Sequence, residues 1–198
     1  GVTPGQASFS RNGRGLAVSY SRPFVTGDQY PLNFFFGVEF AMVRFLERNG
    51  FDVSYSSGID TDRRGNELLE HKAFLSVGHD EYWSGQQRAN VEAARDAGVN
   101  LAFFGGNDVY WKTRWEEDAS GADYRTLVSY KETHANAKID PLPDVWTGTW
   151  RDPRFATTSD GGRPENGLTG TIFTVNEHPV NQTTSMSSSG AYAALRFW

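Results

Sequence analysis

Ser76-Val77-Gly78-His79-Asp80-Glu81-Tyr82-Trp83 is the stretch that decides how this chain is read. The apolar run Ala73-Phe74-Leu75-Ser76-Val77 stops at Gly78, and three titratable residues follow before two aromatics and a helical pattern. Burying histidine, aspartate and glutamate in succession costs free energy unless each finds a partner. Open α/β sheets place their ligands and chemistry in the crevice beyond the carboxyl ends of the strands. This segment therefore supplies titratable groups and a location for them together.

Strand and helix patterns alternate on both sides of it. Leu16–Tyr20 reads as a strand closed by Arg22-Pro23. Phe34–Asn49 places Val38, Met42, Phe45 and Leu46 on one helical face, and Gly50 stands where a helix commonly ends. Phe51–Tyr55 reads as a second strand, and Ile59–Asp62 as a turn into a short helix near Asn66–Glu70. Ala73–Val77 is a third strand. Ser84 and Gln87 have capping-box spacing ahead of a helix over Gln86–Ala97, which Gly98 ends. Val99–Phe104 is a fourth strand running into Gly105-Gly106-Asn107-Asp108. The order predicts an α/β fold with a parallel sheet covered on both faces. Beyond about Trp115 the pattern changes. Thr126–Tyr130, Val145–Trp150 and Thr171–Val175 read as strands among turns such as Asp152-Pro153-Arg154. The expected organisation is an extended lead-in over 1–15 and one domain over 16–198, of which 116–198 is a loop-rich β extension. The apolar ending Leu195-Arg196-Phe197-Trp198 adds the expectation of a piece of a longer protein.

Composition narrows the function classes. A net charge of −5 argues against nonspecific nucleic-acid binding. No apolar stretch is long enough to span a membrane as a helix. Cysteine is absent, which excludes disulfides, thiolate metal sites and a cysteine nucleophile. Aromatic residues make up 14%, enough to line a pocket as well as fill a core. No P-loop, zinc motif, G-x-S-x-G elbow or dinucleotide fingerprint occurs, and His71, His134 and His178 have no ligand spacing.

The candidate residues each carry a plain structural alternative. Glu81, just ahead of a helix, reads as a metal ligand or general base, or as an ordinary N-terminal helix charge. His79 reads as a proton shuttle or ligand, or as a structural hydrogen-bonding group. If His79 and Glu81 point together, Asp80 points elsewhere and reads as a structural cap. Asn107, after a double glycine on the neighbouring strand, could orient a substrate carbonyl or close a turn. Tyr20 could ligate a hard metal or pack in the core, and Arg22 could hold a carboxylate. Trp83, Tyr110, Trp111 and Trp115 could line a pocket or fill the core. Lys131 could reach the same crevice or stay solvated.

Taken in order, these residues resemble a known family. Ser19-Tyr20-Ser21-Arg22-Pro23-Phe24, Glu39 with Arg44–Tyr55, Gly78-His79-Asp80-Glu81-Tyr82-Trp83, Asn100–Asn107 with Tyr110-Trp111, Tyr130-Lys131 and Arg163-Pro164-Glu165-Asn166 look like the C-terminal domain of the N,N-dimethylformamidase large (beta) subunit family. The resemblance implies a three-layer, flavodoxin-like fold related to class I glutamine amidotransferases. Those enzymes carry a cysteine in the turn after the strand matching Ala73–Val77, where this chain has none. The resemblance also implies a mononuclear iron held by tyrosines and a glutamate. Glu81 matches the glutamate, His79 an active-site histidine behind it, and Asn107 an active-site asparagine; Tyr20 is the available tyrosine. The chain departs from the pattern at Phe24, where many relatives have tyrosine, and a further tyrosine of the enzyme lies upstream of this domain. The implied activity is hydrolysis of a non-peptide C–N (amide) bond, on a small amide or sugar-like substrate held by Arg22, Trp111 and Lys131. The other reading is a noncatalytic ligand- or carbohydrate-binding module without the metal. The lineage implied is that of large, secreted, multi-domain bacterial proteins.

Overall fold

The computed structural model describes residues 15–21, 35–155 and 161–173. Two small sheets share one core. β2 (Ala73–Val77) and β4 (Asn100–Phe104) pair in parallel, with Ala73 opposite Asn100 and Val77 opposite Phe104. A four-stranded sheet has the order β1-β6-β5-β3. In it β3 (Tyr82–Ser84) runs parallel to β5 (Trp111–Glu116), while β6 (Thr126–Val128) is antiparallel to both β5 and β1 (Ala17–Ser19). The fold is mixed α/β with mixed sheets, which corrects the expectation of a purely parallel sheet. The first strand is the residue of that misreading: it pairs with the late strand β6 through Val18 and Leu127, not with Ala73–Val77.

Helices form where local signals agree. α1 (Phe35–Val38) and α2 (Phe40–Arg48) occupy the expected helix, broken at Glu39, and Gly50 follows at φ 71°. α3 (Gly58–Arg63) stands where a turn is expected. Its N-terminus is fixed by a reciprocal capping box between Ser57 and Asp60. Gly65–Glu70 forms the expected short helix, as a 3₁₀ turn. Ser84 accepts from the Gln87 amide at 3.0 Å and starts α4 (Gly85–Asp96). α5 (Glu132–Ala135) and α6 (Asn166–Thr169) are single turns. Residues 51–57 have no regular structure, so the second expected strand does not form. Thr149 makes only an isolated bridge to Trp111 where a strand over Val145–Trp150 is expected. Residues 171–173 are not strand; 174 and 175 lie outside the described residues. No described helix is long and apolar enough to cross a membrane.

Trp83 joins the layers. Fully buried on β3, it packs edge-on to Phe74 of β2 at 6.3 Å and against Phe103 of β4 at 6.2 Å. Val91 and Ala94 of α4 cover the same cluster, with Leu68, Val99, Val109, Trp150 and Leu168. An indole of this size buried among rings is the largest single source of apolar stabilisation available to a small core. Its position fixes β3, and with it Glu81, against the ends of β2 and β4.

Candidate functional site

Because β2 and β4 are parallel neighbours in register, the turns that follow them lie side by side. His79 comes from the first and Asn107 from the second, with Asn107 Nδ2 3.3 Å from His79 Nε2. The same imidazole nitrogen lies 3.2 Å from Glu81 Oε2. It cannot donate to the carboxylate and accept from the amide at once. With a proton it serves Glu81; without one it serves Asn107. The His79 side chain is half exposed and that of Glu81 is 17% exposed, so the pair opens to solvent from a sheltered carboxylate.

Close approach of the two turns requires glycine at two positions. Gly78 has φ 88°, and a Cβ there would meet Glu39 Oε1 at 2.9 Å. A Cβ at Gly105 would overlap the Asp108 carboxylate and stand 2.7 Å from the Gly78 carbonyl. Below the turns lie two more carboxyl groups. Asp80 Oδ2 accepts from the Ser76 hydroxyl at 2.6 Å, and Asp108 Oδ2 accepts from the Gly105 amide at 3.1 Å. Burial raises the Asp80 carboxyl above the usual carboxylate range. Burial, reinforced by the charge of Asp80, pushes Asp108 up to about 6. Asp80 thus ties the end of β2 to the turn; the helix cap is Ser84, a correction to its expected role. The strand β3 also separates Glu81 from α4, so Glu81 is not an N-terminal helix charge.

β5 supplies the wall. Trp111 Nε1 donates to Glu81 Oε1 at 2.9 Å, while its backbone amide and that of Tyr110 both donate to the Glu81 carbonyl. Lys131 Nζ sits 4.8 Å above the Trp111 ring and 4.9 Å above Tyr82, and donates to the Tyr82 hydroxyl at 2.5 Å. Burial and the Glu81 charge raise the Tyr82 phenol, which keeps it protonated. The His134 ring meets Trp111 edge-on at 4.7 Å. Val109 and Lys131 hold φ of 56° and 48°, a left-handed backbone that side chains rarely adopt and that clusters at functional sites.

The structure thus brings together His79, Glu81, Asn107, Trp111 and Lys131. Tyr20 is elsewhere: it stacks edge-on against Trp115 at 5.3 Å, four residues along β5 from Trp111, a span of about 13 Å. Arg22 and Phe24 lie outside the described residues. Trp83 is core, and Tyr110 packs between Trp111 and Phe173. Tyr82, Glu39 and His134 join the neighbourhood although the sequence reading gives none of them a role there. Tyr82 and Glu39 stand in stretches that carry the resemblance, and the Tyr82 side chain follows from the β3 pairing. Nothing local pointed to His134.

A tyrosine-and-glutamate iron site needs phenol oxygens beside the carboxylate. Among the described residues, Tyr20 is distant and the Tyr82 hydroxyl is engaged by Lys131. Of the implied ligands, Glu81 stands in this cluster and Tyr20 does not.

A carboxylate and an imidazole in the segment between two parallel-paired strands, backed by an indole and an ammonium, mark a mixed α/β protein with a cluster of polar, titratable side chains beside its sheets. More specifically, the chain belongs to the family described as N,N-dimethylformamidase beta subunit-like, C-terminal, whose sequence model matches residues 3–196. No curated protein matches the chain.

Proposed function

We propose that this domain hydrolyses a non-peptide amide C–N bond at the crevice formed by His79, Glu81 and Asn107. The observation that carries the reading is the shared His79 nitrogen, within reach of both Glu81 and Asn107. A water held by the Glu81 carboxylate adds to the substrate carbonyl carbon, and its proton passes to the Glu81–His79 pair. The Asn107 amide orients the carbonyl oxygen. As the C–N bond breaks, His79 delivers the proton to the departing nitrogen, leaving a carboxylic acid and a free amine. Trp111 holds Glu81 in place, and the Lys131 charge over the two rings favours the developing oxyanion. Arg22 remains the proposed anchor for a substrate carboxylate or hydroxyl.

Iron at Glu81, which the family resemblance implies, would supply Lewis-acid chemistry there, and no step above passes through it. The layered, flavodoxin-like arrangement belongs to the same proposal. Its support is the β2–β3–α4–β4 run, in which a helix links two parallel neighbours.

The test is amine release from a panel of N-alkyl formamides and acetamides, with and without added ferric iron, for the parent and Glu81→Gln. Turnover by the parent, reduced about 100-fold or more in the variant while the circular dichroism spectrum is unchanged, is expected. A folded parent that releases no amine under either condition, or a fully active Glu81→Gln, overturns the reading.

A further inference from the structure

The far end of the β3–β5 pair holds a second concavity. Ser84 and Thr113 face each other there, three residues along β3 from Glu81 and so about 10 Å away. A cleft of about 790 Å³ opens over this end, within the range of small-molecule sites. Its floor is the face of β5 that carries Thr113 and Trp115; Tyr124, Asp123 and Asp144 close it from the loops, and Asp62 stands at the side.

Two groups on the floor lack partners. Thr113 is 1% exposed, and neither its hydroxyl nor the Trp115 indole N–H has a hydrogen-bond partner. Buried polar groups left unsatisfied are rare, and each calls for an explanation such as a missing ligand. The rim has the opposite need. Five lining side chains are carboxylates; Glu116 already accepts from Arg114 and Asp62 from Ser84, which leaves Glu117, Asp123 and Asp144. Carboxylates require donors, whereas the indole N–H requires an acceptor. A simple cation satisfies the first and not the second. An anion meets the acidic rim. A hydroxyl both donates and accepts, so a ligand rich in hydroxyls and free of negative charge suits the open carboxylates and brings an acceptor towards the two buried groups. Tyr124, whose ring carries the Arg63 guanidinium at 4.8 Å, meets Trp115 at 6.4 Å with the rings tilted by 46°, adding aromatic surface of the kind that sugar C–H groups cover. Its backbone stands at φ 59°.

We propose that this cleft is a binding site for a neutral saccharide, separate from the Glu81 crevice. The inference does not rest on the amidase reading. The test is a neutral-glycan array followed by calorimetric titration of the best hits, with galacturonate and putrescine as anionic and cationic comparisons. Trp115→Phe keeps a ring and removes the N–H; Asp123→Asn, at an exposed loop position, removes one acceptor charge without touching the core. Binding of a neutral saccharide is expected, weakened about tenfold by each substitution and unchanged by Glu81→Gln. The proposal is overturned if the folded protein binds no neutral saccharide at about 10 mM, a concentration that still reports millimolar affinity. It is equally overturned if both substitutions leave binding intact, or if only putrescine binds. Loss of amide turnover in Glu81→Gln with saccharide binding retained would separate the two sites.

Discussion

Asp108→Asn should stabilise the protein increasingly as the pH rises, and the structure sets the amount. The Asp108 carboxyl is 5% exposed, with Oδ1 lacking a hydrogen-bond partner and the buried Asp80 nearby. Its pKa moves from 3.8 to about 6, so the folded state holds the proton more tightly than the unfolded chain does. An acid raised in this sense contributes fully below its unfolded pKa, and the contribution is lost as the pH climbs through the folded value. Two units at about 1.36 kcal/mol each, of which a little is already lost at pH 4, give a change of about 2.5 kcal/mol between pH 4 and pH 7. Asparagine does not titrate. It keeps an acceptor for the Gly105 amide and places an NH₂ where Oδ1 is stranded. Urea denaturation of parent and variant from about pH 4 to pH 8 reads the difference directly, because titrations common to both cancel. The variant should gain about 2.5 kcal/mol on the parent across that interval and hold the gain above it. Parallel profiles would show that Asp108 ionises normally, and a gap that closes with rising pH would reverse the argument.

Two further outcomes concern the loop-rich half. Glu132 is fully buried and accepts from the backbone amides of Ile139, Asp140 and Thr147, with Lys138 at 3.2 Å. Glu132→Ala strands three N–H groups and should cost about 3 kcal/mol or more in equilibrium unfolding, and a loss below about 1 kcal/mol would count against a stapling role. Gly148 has no room for a side chain: a Cβ there would overlap the Trp146 ring and stand 2.6 Å from Thr133 Oγ1. Gly148→Ala should destabilise by about 1–3 kcal/mol, and an unchanged thermal midpoint would mean that this loop repacks freely.

The sequence was most legible where local and long-range signals coincide. Ala73–Val77 forms as expected because its apolar run ends on glycine and finds an apolar parallel neighbour in Asn100–Phe104. The same coincidence made the His79, Glu81 and Asn107 cluster readable, since two strand ends in register carry their turns together. β5 was missed although Trp111-Lys112-Thr113-Arg114-Trp115-Glu116 alternates with period two. Its charged members disguise it, yet Lys112 is buried with its ammonium 5.8 Å above Trp150, and Arg114 reaches Asp140. Those partners are distant in sequence, and no local pattern reports them. Phe51–Tyr55 shows the reverse failure. Its strand propensity is real, but Phe51 and Tyr55 stay exposed and no ladder forms among the described residues. Strand propensity reflects fit to a neighbour more than backbone preference, so a segment without one stays irregular. Tyr20 was placed wide of Glu81 for a related reason: β1 chose the antiparallel edge beside β6.

The left-handed backbone at Tyr124 and Lys131 bears on how this protein would respond to selection in the laboratory. Each such residue costs about 1–3 kcal/mol that glycine or asparagine would largely recover. Both side chains are partly buried, and the contacts the exchange gives up, a ring pair at Tyr124 and an ammonium over two rings at Lys131, are worth about 0.5–1.5 kcal/mol each. A screen for heat resistance alone would therefore favour change at 124 and 131, one beside the saccharide cleft and one above Trp111. Descendants chosen that way would gain melting temperature while losing the ring from one site and the ammonium from the other. Which positions drift first under such a regime is thus a record of where this fold trades durability for work.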